Sequence, residues 1–227
     1  MILHACIQDQ GPHPLQEDAF LFFNDECFVM ADGVGEMPHA DVAATLACET
    51  AIWAYKHIRQ RPFYWEDKKR FMKRIFRTVN MTVWQKQRES AFKEGLATTL
   101  LVAMIGPQFC WVGTAGDTAA FLWKGQGVTR LTQADKDPFG GLTKALGVRR
   151  LGMVPQYAAE KFAPGDMLIL ATDGVADYIA PQEMAEILSR SGATKESLEA
   201  AGREMLSSAR AAGSTDDQTV AILKRIA

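Results

Sequence analysis

The sequence has few cysteines and no long apolar run, and each absence excludes a class of protein. Its 227 residues include four cysteines, which form no CxxC pair and have apolar neighbours, so we expect buried free thiols rather than disulfides or a zinc site. No apolar run approaches the roughly 18 residues of a membrane span, and the first residues lack the charged segment of a secretory signal. We therefore expect no membrane partner and a cytoplasmic location.

An excess of charge of one sign is also missing. Lys and Arg number 25 against 27 Asp and Glu, a net charge of −2, so nothing points to nucleic acid as a partner. The basic stretch 59–77 is predicted to be a solvated helix face, with docking of an acidic or phosphorylated partner as the alternative. With 48% hydrophobic residues, the chain can bury one core, and we expect a single domain over residues 1–227.

The sequence does contain short acidic segments beside apolar runs that read as strands. They are Glu17-Asp18, Asp32-Gly33, Asp173-Gly174 and Asp216-Asp217. Asp-Gly is also a common hairpin turn, so each segment alone could be no more than a turn. Carboxylates at strand ends can converge on one sheet edge, however, and three or more cannot stay ionised together in a cleft without a cation. Oxygen ligands without Cys or His favour Mg²⁺ or Mn²⁺ over zinc.

Apolar periodicity gives a coarse secondary structure. Strands are predicted at 2–7, 19–24, 26–31, 98–105, 109–115, 118–124, 128–131, 166–171 and 219–223. Helices are predicted at 38–58, 65–89, 181–190 and 194–211. Because strands and helices occur in separate runs, the pattern alone indicates an α+β fold with mostly antiparallel sheets.

The chemically informative motifs follow one another in a fixed order. They are Gln16-Glu17-Asp18, Asp32-Gly33-Val34-Gly35-Glu36, Gly95-Leu96-Ala97-Thr98-Thr99, Gly116-Asp117-Thr118-Ala119, Leu131-Thr132-Gln133-Ala134-Asp135, Ala145-Leu146-Gly147, Asp173-Gly174-Val175-Ala176-Asp177 and Asp216-Asp217-Gln218-Thr219. In this order they resemble the motifs of the metal-dependent protein phosphatase family, type 2C, along nearly the whole chain. Each motif alone is a weak signal, whereas the ordered series is specific.

The resemblance implies both a fold and an activity. The fold is a four-layer α-β-β-α sandwich, in which two mostly antiparallel sheets are flanked by helix pairs. The activity is Mn²⁺- or Mg²⁺-dependent hydrolysis of phosphoserine and phosphothreonine in proteins, which implies a phosphorylated protein substrate and an opposing Ser/Thr kinase. A non-catalytic pseudophosphatase that binds phosphoproteins and a hydrolase of small phosphate esters remain as alternatives.

The resemblance also implies which residues hold the ions and do the chemistry. Asp32 would bridge two ions, with the Gly33 carbonyl on one of them, while Asp173 and Asp216 would complete the ligands of the other. A water between the two ions would attack phosphorus in line, without a covalent intermediate.

Three further acidic residues receive roles by the same resemblance. Glu17 and Asp18 would act on waters bound to the ions. Asp117 occupies the position that, together with Asp173, can hold a third ion in bacterial members of the family.

The chain departs from the family pattern at three positions. His13 stands in place of an Arg that grips the substrate phosphate, so we include His13 among the candidate catalytic residues and consider Arg149 or Arg150 as substitutes. Glu36 replaces a Gly, and Asp217 replaces an Asn. In addition, only nine residues, 136–144, separate the fifth motif from the sixth where many family members have a longer flap, which predicts a more open site.

Overall fold

The computed structural model describes residues 1–12, 14–35, 37–61 and 67–226. Within these ranges the chain forms strands in two sheets and helices on their outer faces. The strands are β1 (Ile2–Asp9), β2 (Asp18–Phe23), β3 (Cys27–Asp32), β4 (Leu100–Ile105), β5 (Phe109–Ala115), β6 (Ala119–Lys124), β7 (Gly127–Arg130), β8 (Gln156–Lys161), β9 (Met167–Ala171) and β10 (Gln218–Arg225). The helices are α1 (Ala40–Ile58), α2 (Lys68–Lys86), α3 (Asp173–Ala176), α4 (Pro181–Ser189) and α5 (Lys195–Ala211).

The two sheets have five strands each, and all neighbouring strands are antiparallel. One sheet has the order β1-β10-β9-β6-β7 and the other β2-β3-β4-β5-β8. One apolar cluster joins α1 and α2 to the β2 sheet, a second joins α3, α4 and α5 to the β1 sheet, and a third lies between the sheets. The predicted α+β fold, a four-layer α-β-β-α sandwich, is therefore confirmed.

The central strands are apolar on both faces because both faces are covered. In β3, Cys27, Val29 and Ala31 pack against the helices, while Phe28 and Met30 point between the sheets. Successive side chains of a strand point to opposite faces, so a strand buried on both sides must be a continuous apolar run. The same division occurs in β4 and β9.

Helix α2 shows how the basic stretch is accommodated. The helix begins at Lys68, and the Asp67 side chain caps it by accepting a hydrogen bond from the Arg70 amide at 2.8 Å; residues 62–66, including part of the predicted first turn, lie outside the described residues. Its apolar side chains are buried, whereas its basic ones at 69, 70, 73, 74 and 77 are exposed. These five basic residues therefore form a solvated face, as the sequence predicts. Lys68 differs, because it is only partly exposed and its Nζ lies 5.2 Å from the centre of the Trp111 ring.

Two elements have no counterpart among the predicted strands and helices. Strand β8 lies at the edge of its sheet beside β5, and its side chains are only partly buried. Helix α3 has four residues and directly follows β9. Neither contains an apolar run long enough to give a periodic signal.

The cysteines confirm the prediction of free thiols. Cys27, Cys48 and Cys110 are buried, Cys6 is partly buried, and none is in a disulfide. Among the described helices, none combines the length and apolarity needed to cross a membrane.

Close packing between β5 and α2 gives a test of this arrangement. A Cβ placed on Gly113 would lie 2.5 Å from Met72 Cγ and 3.0 Å from Phe76 Cε2, so Gly113→Ala should push α2 away from the sheet. We expect a loss of about 1–3 kcal/mol in the free energy of unfolding, measured by urea denaturation. Gly127→Ala is the matched control because its Cβ would meet nothing within 4 Å. Equal stability of the two variants would contradict the packing described here.

Candidate metal centre

Asp32 is held in place by the loop that precedes β4. It is the last residue of β3, and it lies opposite Asp18 of β2. The Asp32 amide donates to Thr99 Oγ1 at 3.0 Å, and the Asp32 carbonyl accepts from Thr98 Oγ1 and the Thr99 amide, both at 2.8 Å. Three hydrogen bonds to the backbone of Asp32 thus fix the point from which its carboxylate extends.

The other sheet contributes Asp173 and Asp216. Asp173 begins α3 after β9, and Asp216 precedes β10, the strand beside β9. The two segments touch at Gly174, where an added Cβ would lie 2.1 Å from the Asp217 carbonyl oxygen. Only glycine permits this approach, which brings the two carboxylates to the same edge of the sheet.

These residues line one cleft of about 420 Å³. The predicted site residues in its wall are Asp32, Gly33, Asp117, Asp173 and Asp216. Asp32, Asp117 and Asp173 each present a carboxylate oxygen, and the three oxygens lie within 4.8 Å of one another. Residues from both sheets therefore meet in a single acidic cluster.

The cluster shifts the pKa values of its members upward. Burial raises the pKa of Asp32 well above its usual value, and the charges of Asp18, Asp173, Asp117 and Asp216 raise it further. The pKa of Asp117 is raised to about 6, mainly by burial and then by the charge of Asp173, with Lys136 opposing the shift. The carboxylates thus favour either protonation or a bound cation at neutral pH.

Asp18 connects the two sheets. Its Oδ2 accepts hydrogen bonds from Thr172 Oγ1 at 2.9 Å and from Thr219 Oγ1 at 2.7 Å, both on the opposite sheet. Asp18 is buried and is not among the described residues that line the cleft. Burial raises its pKa to about 7, although the two threonine hydrogen bonds lower it and the charges of Asp217 and Asp173 raise it.

Asp217 holds the segment that carries Glu17. Its two carboxylate oxygens accept from the Gly11 and Glu17 amides, each at 2.6 Å. An Asn, the residue of the family pattern, would offer only one acceptor oxygen, so the substitution by Asp matches the two donors it meets. A Cβ on Gly35 would lie 3.2 Å from Glu17 Oε2, which places the Glu17 carboxylate beside a residue of the cleft wall.

Lys136 is the functional-site residue that the sequence reasoning missed. It lines the cleft and forms ion pairs with Asp117, Asp173 and Asp177. Its position directly after the Leu131–Asp135 motif was the only available signal, and that signal does not specify a partner. The predicted flap 136–144 also contributes Gly140, Gly141 and Leu142 to the cleft wall.

The proposed substitutes for the missing Arg do not line the cleft. The Arg149 and Arg150 carbonyls accept hydrogen bonds from Asn80 Nδ2 at 2.8 and 3.1 Å. The Arg150 guanidinium lies 5.4 Å from the centre of a Trp84 ring, and Arg149 lines a neighbouring pocket. His13 and Glu36, two of the three residues that depart from the family pattern, lie outside the described residues. The role of His13 therefore stays a prediction.

The residues of the cleft fit a hard divalent cation. The side-chain atoms of the cluster that could bind a metal are all carboxylate oxygens, the ligands that Mg²⁺ and Mn²⁺ prefer. Asp117 Oδ1 is buried and has no hydrogen-bond partner among the described residues. Bound cations would relieve both the mutual repulsion of these carboxylates and their raised pKa values.

A family model and a curated relative match this chain over most of its length. The family model described as protein phosphatase 2C matches residues 13–223. A serine/threonine phosphatase from Listeria monocytogenes is 22% identical over 220 residues, covering 89% of this chain and 85% of its own.

Solved structures show the same fold. The Mycobacterium tuberculosis serine/threonine phosphatase PstP has a TM-score of 0.81 at 19% identity, covering 100% of this chain and 99% of its own. The PstP catalytic domain in complex with two manganese ions has a TM-score of 0.79 at 21% identity, again covering 100% and 99%.

The family match extends over almost the whole chain and includes the acidic residues that form the cleft. Members of this family are metal-dependent protein phosphatases, so the enzyme class predicted from the motifs is confirmed. The chain belongs to the protein phosphatase 2C family.

Proposed function

We propose that this enzyme hydrolyses phosphoserine and phosphothreonine in proteins and requires two Mn²⁺ or Mg²⁺ ions in its acidic cleft. The observation that carries the proposal is the convergence of Asp32, Asp117 and Asp173 within 4.8 Å in an accessible cleft. The single positive charge of Lys136 offsets only part of the negative charge of this cluster, so the ionised carboxylates need a further cation. An open cleft with such a cluster is suited to ions that also contact a substrate.

Four residues would hold the two ions. They are Asp32, Gly33, Asp173 and Asp216, which all line the cleft. When bound, such ions lower the pKa of a coordinated water to make it a nucleophile and neutralise charge on the phosphate. The hydrogen bonds that Thr98 and Thr99 make to the backbone of Asp32 keep its carboxylate in position.

Glu17 and Asp18 have different proposed roles. The Glu17 carboxylate lies beside Gly35 of the cleft wall and can orient water at the rim. Asp18 is engaged by Thr172 and Thr219, so we propose that it acts by fixing the sheets below the ions. His13 remains our proposed phosphate-binding residue in place of the family's Arg.

The surface around the cleft favours a folded protein substrate. The segment 136–144 is short, and at its tip Phe139 is 97% exposed. Val148 and Leu151, beyond this segment, are also exposed, so apolar contacts are available next to the catalytic residues. We therefore propose a phosphoprotein substrate. From the sequence and the family we also propose an opposing Ser/Thr kinase, a cytoplasmic setting and one catalytic domain over residues 1–227.

Removing a central carboxylate tests the metal centre. Asp32→Ala and Asp216→Ala should each reduce phosphatase activity by at least about 100-fold and weaken Mn²⁺ binding, because each removes a proposed ligand. Activity on a phosphoprotein and on p-nitrophenyl phosphate, with and without Mn²⁺, and calorimetric titration with Mn²⁺ are the measurements. Activity on the small ester alone would identify a small-ester hydrolase.

Asp166→Ala is the matched control for these variants. Asp166 precedes β9 at the end opposite Asp173, and its carboxylate accepts only a local bond from the Ala163 amide in the described structure. This variant should keep both activity and Mn²⁺ binding. Unchanged Mn²⁺ affinity in the Asp32 and Asp216 variants would refute the ligand assignment.

Repulsion among the carboxylates predicts how the metal-free protein responds to pH. The pKa values of Asp18 and Asp117 are raised to about 7 and about 6 in the folded state, from 3.8. As pH falls from about 8 to about 5.5, the folded state therefore binds protons that the unfolded state does not, and stability must rise. Urea denaturation in EDTA should show a higher midpoint at the lower pH.

Replacing one of these two carboxyl groups isolates its contribution to the pH dependence of stability. Asp18→Asn removes the titrating group but keeps an acceptor oxygen for a threonine hydroxyl, so the rise in midpoint on acidification should be smaller. Asp166→Asn again serves as the control and should behave like the wild type. A wild-type midpoint that is lower at the acidic pH would contradict the account of the cluster.

A further inference from the structure

The ammonium group of Lys136 occupies the centre of three carboxylates. Lys136 Nζ lies 2.9 Å from Asp117 Oδ2, 3.1 Å from Asp173 Oδ2 and 2.7 Å from Asp177 Oδ2. An ammonium has three N–H donors, and three carboxylate oxygens are at hydrogen-bond distance. Its donor capacity is therefore matched by these partners.

The chain holds the backbone of Lys136 beside Asp117. The preceding residue, Asp135, exchanges hydrogen bonds with Gly116: its amide donates to the Gly116 carbonyl at 2.9 Å, and its Oδ2 accepts from the Gly116 amide at 3.1 Å. The Asp135 carbonyl also accepts from the Thr143 amide at 2.7 Å. These bonds hold Asp135 against Gly116, so the residues that follow them, Lys136 and Asp117, extend from neighbouring positions. The short flap also begins at Lys136.

Its surroundings keep Lys136 charged. Its Nζ contacts one oxygen of each of three carboxylates, and opposite charges at this distance favour the charged ammonium. The side chain of Lys136 is 23% exposed and that of Asp117 only 4%, so the positive charge acts in a partly desolvated place where it is weakly screened.

A divalent ion and the ammonium cannot occupy this place together. Asp117 and Asp173 are the residues to which the family resemblance assigns a third ion, yet the Oδ2 of each already contacts Lys136. An ion placed between these oxygens would meet the ammonium at contact distance, and like charges repel strongly there. The residues present thus do not fit a third ion while Lys136 is in position.

We propose that Lys136 is a built-in cation that replaces the third metal ion and positions Asp117 and Asp173, leaving the centre with two ions. The inference rests on the proposed two-ion function of the cleft. It makes Lys136 a positioning residue, because its donors are directed to carboxylates and it contacts the ions only through Asp173.

Metal stoichiometry tests the proposal with a readout other than activity. Lys136→Met keeps the length and the apolar stem but removes the charge, so Asp117, Asp173 and Asp177 become free to bind an ion. Native mass spectrometry in Mn²⁺ should show two ions for the wild type and three for Lys136→Met. Lys136→Gln, a polar variant of similar length, should also bind a third ion and guards against loss of folding in the Met variant.

Lys144→Met is the matched control. Lys144 belongs to the same short segment, and its Nζ bonds Asp135 Oδ1 at 2.9 Å outside the cluster. This variant should retain two ions. Three ions in the wild type, or two in both folded Lys136 variants, would overturn the proposal.

Two other outcomes have distinct meanings. If the wild type binds no Mn²⁺, the proposed function fails, and with it the basis of this inference. If Lys136→Met keeps two ions and shows about a tenfold higher KM for a phosphopeptide with unchanged kcat, Lys136 binds the substrate phosphate instead, which also overturns the positioning role.

Discussion

Repulsion between carboxylates that the sandwich holds together is the constraint on which the rest of the site depends. Asp32 ends a strand of one sheet, Asp173 and Asp216 adjoin strands of the other, and Asp117 lies in the connection from β5 to β6 between the sheets. The packed sheets prevent these residues from separating. The backbone ties around Asp32 and the glycine contact at Gly174 add to this restraint. The frame thus holds the carboxylates in an electrostatically unfavourable arrangement that a bound cation would relieve.

The acidic residues of the motifs divide into two groups that sequence alone does not distinguish. One group faces the cleft and is available to ions. The other satisfies internal donors: Asp18 accepts from hydroxyl groups of the opposite sheet, and Asp217 accepts from two backbone amides. Lys136 adds a fixed positive charge at one side of the cluster. The second group and Lys136 maintain the geometry in which the first group can act.

Sequence reasoning succeeded where a local signal was strong. The continuous apolar runs of β3 and β4 and the ordered acidic motifs predicted the sandwich and the residues of the cleft. It missed β8 because that strand is a half-polar edge, and it missed Lys136 because the partners lie up to 41 residues away. The role of Asp18 likewise depends on Thr172 and Thr219, which are 154 and 201 residues away along the chain. Contacts of this kind depend on the folded topology and leave no periodic pattern.

Anomalous X-ray scattering from crystals grown with Mn²⁺ tests the central claim most directly, because it locates each ion relative to named side chains. The account predicts two manganese peaks in the cleft, one on each side of the Asp32 carboxylate, and no peak between Asp117 and Asp177, where Lys136 lies. A structure without manganese at Asp32 would contradict the claim that the carboxylate cluster is the metal centre.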